Sequence, residues 1–188
     1  MGAAASCADG PGGKVIRVIV DPVTEAVTHL VVEPRFRLSA ARLVPLGLVE
    51  ATADGIRLRC TAEEFGRLEA AEETELVDGL TGGLGLVGLG GPMGASAPVP
   101  VVVQDVVPLG EEGIERGEPV HALDGKIGRV EGVRVDPGDH RVTHVLLQEG
   151  HLWGRKEVVI PASAVTKVEN GIWLSLTKEQ VEDLPAAD

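Results

Sequence analysis

Two stretches of this chain follow one pattern. VTHL at residues 27–30 returns as VTHV at 142–145, an offset of 115. The same offset carries Asp9-Gly10 onto Asp124-Gly125, Gly13-Lys14-Val15 onto Gly128-Arg129-Val130, and Asp21-Pro22 onto Asp136-Pro137. One inserted residue makes it 116. Pro45 then falls on Pro161, Val49 on Val165, Gly55-Ile56 on Gly171-Ile172, Thr61 on Thr177 and Leu68 on Leu184. Self-similarity of this kind means one structural unit used twice. A unit of about 60 residues buries little surface by itself. The copies, residues 5–68 and 120–184, are therefore expected to pack on each other about a pseudo-twofold axis.

Each copy reads as β structure. Val130, Val133 and Val135 lie near period 2, with Glu131 and Arg134 interleaved. VDPGDHRV supplies a turn, because Pro137 fixes φ and Gly138 and Asp139 tolerate turn geometry. The return strand is VTHVLLQ. After a loop at 149–157 comes VVIP, then the hairpin signal Asn170-Gly171. In the last strand Ile172, Leu174 and Leu176 share one face and Trp173 and Ser175 the other. Copy one matches: Asp54-Gly55 turns the chain, and Ile56, Leu58 and Cys60 oppose Arg57 and Arg59. Each copy ends on a T-x-x-[EQ] capping box, Thr61 to Glu64 and Thr177 to Gln180. The short helix that follows brings Phe65 and Leu68, or Val181 and Leu184, to one side, where they can plug a barrel. Closing five or six short strands into a barrel removes the exposed edges of an open sheet.

Charge separates the copies from what joins them. The chain carries −12. Residues 1–68 hold 8 acids and 8 bases, residues 69–118 hold 10 acids against Arg116 alone, and residues 119–188 hold 11 acids and 8 bases. The middle segment reads as a solvated connector. Residues 79–103 are uncharged for 25 positions, long enough for a membrane span. Eight of the sixteen residues 79–94 are glycine, however, and Pro92, Pro98 and Pro100 interrupt the rest, so a flexible linker is expected. The expected domains are 1–68, a linker at 69–118, and 119–188. An acidic chain is poorly suited to bind nucleic acid by releasing counterions.

DGKIGRVEGVRVDPGDHRVTHVLLQEGHLWGRKEVVIPASAVTKVENGIWLSL resembles a PRC-barrel domain. The shared pattern is DG-x-[IL]-G-x-V, an acidic turn, a hydrophobic strand, a loop, and [VI]-P before a final hairpin. Residues 120–184 fit closely. Residues 5–68 fit less well, with Gly12 in place of Ile127. The resemblance implies a mainly all-β chain: two small PRC-type β-barrels, each closed by a short C-terminal helix, joined by a Gly-rich acidic linker. It also implies likeness to the cytoplasmic barrel of the photosynthetic reaction-centre H subunit and to the C-terminal barrel of a ribosome-maturation factor. Both act by binding macromolecules and not by catalysis. The chain thus resembles a stand-alone bacterial tandem form.

The candidate binding residues lie in two equivalent loops. EGHLWGRKE, 149–157, holds His151, Trp153, Arg155 and Lys156; EPRFRLSAAR, 33–42, holds Arg35, Phe36, Arg37 and Arg42. Trp and Arg are enriched where interfaces concentrate their energy. The competing reading buries each aromatic within or between the barrels. His29 and His144 are equivalent strand positions; His121, His140 and His151 occur only in copy two. No metal-ligand spacing and no nucleophile–base set is readable, so no metal, cofactor or enzymatic activity is expected. Cys7 and Cys60 are too few for a disulfide scaffold and are expected as neighbouring core thiols in a reducing cytoplasm. MGAAAS fits a lipidation pattern, but residues 4–8 and the turn at Asp9-Gly10 are needed for the first hairpin. The start lacks the features of a secretory signal. The expected function is a non-catalytic protein-interaction, assembly or regulatory module, with protein partners, no transmembrane segment, barrel–barrel packing, and homodimer formation left open. The alternative is a small-anion or metal site in the cleft between the barrels.

Overall fold

The computed structural model describes residues 1–35, 40–52, 55–76, 101–149 and 157–185. The first sheet holds β1 (Ala4–Cys7), β2 (Gly10–Asp21), β3 (Ala26–Pro34), β4 (Arg42–Pro45), β5 (Val49–Thr52) and β6 (Gly55–Leu58), in the order β4-β3-β2-β1-β6-β5. Next come a two-stranded pair, β7 (Glu72–Leu76) with β8 (Val101–Asp105), and a short strand β9 (Glu112–Glu115). The second half holds β10 (Pro119–Ala122), β11 (Gly125–Val135), β12 (Val142–Glu149), β13 (Glu157–Pro161), β14 (Val165–Val168) and β15 (Ile172–Leu174), in the order β13-β12-β11-β10-β15-β14. The two orders are the same topology. In each, the first strand of the copy pairs in parallel with the last.

Alternation places the side chains as the sequence predicts. Ile172 and Leu174 are buried while Trp173 between them is exposed. Asn170 takes the left-handed conformation that the turn before β15 demands, at φ 50°. Asp54, in the matching turn of copy one, lies outside the described residues. Neither sheet is zipped shut by a ladder among the described residues. Instead the 3-10 turns Leu46–Leu48 and Ala162–Ala164 carry the chain from one edge strand to the other.

The helices close the barrels as expected. In α1 (Ala62–Gly66) the Thr61 hydroxyl accepts from the Glu64 N–H, and the Glu64 carboxylate accepts from the Thr61 N–H. In α2 (Lys178–Glu182) Thr177 and Gln180 make the same exchange. Phe65 and Val181 are the buried residues of these helices. The Asp-Gly turns add a second cap. Asp9 accepts from the Ala62 N–H at 2.7 Å, and Asp124 from the Lys178 N–H at 3.0 Å. Each hairpin tip is thus fastened to the start of its plugging helix. Thr61→Ala and Thr177→Ala are each expected to lower stability by about 1 kcal/mol, read as a shift in urea midpoint without a change in slope.

The halves meet on a pseudo-twofold axis. Val27 N–H donates to the His140 carbonyl at 2.9 Å, and Val142 N–H donates to the Glu25 carbonyl at 3.0 Å. The repeat offset carries Glu25 onto His140 and Val27 onto Val142, so these bonds are each other's image. The bridge between them joins Ala26 to its own equivalent, Arg141. Glu25 and His140 share the left-handed conformation, at φ 57° and 61°. One continuous hydrophobic cluster runs through both halves, from Val18, Leu58 and Phe65 to Val145, Ile160 and Val181.

The segment expected as a plain connector does more. β9 adds to the first sheet, antiparallel to β2, pairing Glu112–Glu115 with Val20–Arg17. Arg17 is almost fully buried and its Nη2 donates to the Glu115 carboxylate at 3.1 Å. After β9, Gly117 and Glu118 bond to Val130 of the second half. The connector therefore straps the copies together.

Candidate functional site

Of the predicted binding residues, His151, Trp153, Arg155, Lys156, Phe36 and Arg37 lie outside the described residues. Arg35 is exposed at the end of β3, where its backbone N–H donates to the Gly12 carbonyl at 3.2 Å.

A different aromatic group is on view. The rings of His121 on β10 and Trp173 on β15 stack with centroids 4.3 Å apart and planes 13° from parallel. They are direct partners across the parallel pair. Register extends the row at both ends: Lys126 of β11 faces His121, and Lys167 of β14 faces Trp173. The result is Lys126–His121–Trp173–Lys167 across four adjacent strands, on the outer face of the barrel. Trp173 is 43% exposed. Its indole N–H donates to the Glu169 carbonyl at 3.3 Å, and the Glu169 carboxylate pairs with Lys167, which fixes the tryptophan edge and one neighbouring charge. The equivalent positions in copy one are Ser6 and Arg57, partners in the same register. The aromatic row therefore belongs to copy two alone. Sequence reading placed Trp173 on the outward face but did not join it to His121, which lies 52 positions away.

The cleft between the halves is a concavity of about 200 Å³. Its walls are aliphatic, from Val20 and Ile114 on one side to Val145, Val165 and Ile172 on the other. Its polar lining includes Asp21, Glu25 and Glu112, with Lys167 opposed. Burial pushes the Glu112 carboxyl above its ordinary pKa, Glu169 pushes it further, and Lys167 partly offsets both. Carboxylates outnumbering the single ammonium do not suit a small anion. Among the described residues no group of three or more His, Cys, Asp and Glu is placed to hold a metal.

The remaining candidates have structural tasks. Cys7 and Cys60 are free, buried thiols close enough to act on each other's ionisation. Burial raises the pKa of both, and thiols held protonated are poor nucleophiles. His140 occupies its turn through a backbone bond to Asp136. His29 Nδ1 lies 3.0 Å from Thr28 Oγ1, as His144 Nδ1 lies 3.1 Å from Thr143 Oγ1. Thr28 also donates to Glu111, so the connector covers that site in copy one.

The strand order, the capped helix and the DG-x-I-G-x-V start now stand together in the second half. Residues 116–181 match the PRC-barrel domain. The match covers the aromatic row whole, so Lys126, His121, Trp173 and Lys167 are surface features of a PRC-barrel domain. Comparison with curated proteins gave no match. Among the described residues no helix is long and apolar enough to cross a membrane.

Proposed function

We propose that this protein is a non-catalytic, cytoplasmic tandem PRC-barrel module that binds a protein partner in assembly or regulation. Residues 5–68 are a diverged second copy of the barrel, a reading supported by the shared strand order and the reciprocal seam. The observation that carries the binding role is the His121–Trp173 stack. A half-exposed tryptophan flanked by lysines, on a chain of charge −12, is a surface of the composition that interfaces favour. The partner segment that fits it offers an aromatic or aliphatic group to the stack and carboxylates to Lys126 and Lys167.

The test is affinity capture with wild type beside the His121→Ser/Trp173→Ser variant, followed by titration of the captured partner. Truncating a central aromatic is expected to weaken binding by on the order of thirtyfold, the scale of an interface hot spot. Loss of the half-buried stack is expected to cost about 1 kcal/mol of stability, too little to unfold the domain. Equal capture by the two proteins would remove the role given to this surface.

The cleft supports a second reading, a small ligand held between the barrels. Its aliphatic walls and acidic lining favour an apolar molecule bearing an amine. A thermal-shift series of alkylamines against alkylcarboxylates of matched length separates the two. A rise in Tm with the amines alone is the expected sign of that site.

A further inference from the structure

We propose that the edge of β11 at Gly132–Val135, which no described strand pairs, is a docking site for one extended segment of a partner protein, which adds there as a strand. The proposal rests on the binding-module reading above and locates a second contact for it.

The pseudo-twofold axis relates this edge to one that is covered in copy one. In copy one, β2 is flanked at Arg17–Val20 by β9. The offset of 115 carries Arg17–Val20 onto Gly132–Val135. Among the described residues no strand pairs with that edge; β11 is joined there only to β12 on its other side. Exposure records the difference. Val18 and Val20 are buried at 4% and 5%, whereas Val133 is half-buried and Val135 is 37% exposed. The far wall shows the same asymmetry. Ile114 of β9 projects into the cleft beside Ile172, which is fully buried. The equivalent of Ile172 is Ile56, and it is only half-buried. Copy two's edge and copy one's wall thus form the image of a strand site that β9 fills on the other side of the axis.

The register of β9 defines the occupant. It runs antiparallel to β11 and places a large aliphatic residue opposite Val133, as Ile114 lies opposite Val18. The next position pairs with Arg134, which is exposed, where copy one has Gly113 opposite Ile19. An acidic residue there meets Arg134 directly across the strands. The partner therefore offers an extended stretch with an aliphatic residue followed, toward its N-terminus, by an acid. Backbone bonds supply affinity and the two side chains supply specificity.

Two experiments decide it. The first is hydrogen exchange of the full chain titrated with the peptide LGEEGIERG, this protein's own residues 109–117, and with its Gly113→Glu form. Added protection is expected at Gly132–Val135, at lower concentration for the Gly113→Glu peptide. Arg134→Glu should reverse that preference, with a change on the order of tenfold. The second is a variant with Glu-Gly-Ile-Glu fused directly before Met1. The amino nitrogen of Met1 sits against Gly132, 2.8 Å from where a side chain would begin there. In the image of β9 the added residues reach the edge intramolecularly, so this variant should lose peptide binding and gain in Tm. Protection in the free protein of the amides of Gly132–Val135 that face away from β12 would overturn the proposal, because the edge would already be covered. So would protection confined to Arg17–Val20, which is peptide exchanging with β9, or no binding, which makes Arg134 a guard against strand addition. Self-association that the fusion abolishes would assign the edge to a second copy and equally overturn it. A partner that needs Trp173 but binds the fused variant unchanged would sink the edge and leave the binding module standing.

Discussion

Gly128→Ala is expected to lower stability by about 3 kcal/mol or more, the upper range for overpacking a site that cannot yield. A side-chain carbon at Gly128 would lie 2.4 Å from the Gln148 carbonyl oxygen and 2.8 Å from Leu147 Cδ1. Its repeat partner Gly13 is tighter, at 2.0 Å from the Glu33 carbonyl oxygen. Neither glycine is in the left-handed region, so the objection is steric and not conformational. The obstacle is backbone of the neighbouring strand, which cannot rotate away as a side chain can. Both glycines are paired on two sides, Gly13 with Ala5 and Pro34 and Gly128 with Val120 and Glu149, so moving one strand there moves two ladders. Gly47→Ala is the control, since no atom lies within 4 Å of a side chain there. It should stay within about 0.5 kcal/mol of wild type. Urea unfolding of the three proteins checks this, with the slope held common. Gly128→Ala at wild-type stability would mean that the strands do not cross as closely as described.

The same pair of glycines shows how much of the fold is legible in the sequence. Their spacing from Val15 and Val130 is part of the repeat, and the repeat carries the topology. Capping boxes and Asn170-Gly171 were legible because their chemistry is complete within four residues. Alternation set Ile172 and Leu174 inward and Trp173 outward for the same reason. β9 was not legible. EGIE has one aliphatic residue among charges and no period, and it becomes a strand only because β2 offers an edge and Arg17 a buried charge to pair. The His121–Trp173 stack was hidden likewise, since it depends on a parallel pairing between the first and last strands of a copy. The candidate loops at 33–42 and 149–157 rest on composition, and only Arg35, Ala40, Ala41, Arg42 and the strand ends fall within the described residues. What was missed is non-local, and one sequence carries no signal for non-local pairing beyond the repeat itself.

Ile114→Ala tests whether the strap makes one protein of two barrels. Ile114 is 3% exposed, pairs opposite Val18, and lines the cleft with Val165, Val168 and Ile172 of the PRC-barrel half. Removing its outer carbons leaves a void whose walls come from both copies, so neither can collapse into it alone. The expected cost is about 2–4 kcal/mol, in the range for a large aliphatic truncated in a core. Because the hydrophobic cluster and the seam at Glu25–Val27 and His140–Val142 are shared, the loss should appear as an earlier single transition by circular dichroism and by calorimetry. Glu115→Gln acts on the other face of the same strand by weakening the contact with the buried Arg17 guanidinium. If β9 comes and goes as a unit, the double variant should cost less than the two single losses together, since a strap already released cannot be released again. Strict additivity would leave Ile114 as a local packing residue. Two separated transitions in the Ile114→Ala protein would show instead that β9 supplies the coupling between the copies and that the seam alone does not hold them to one unfolding event.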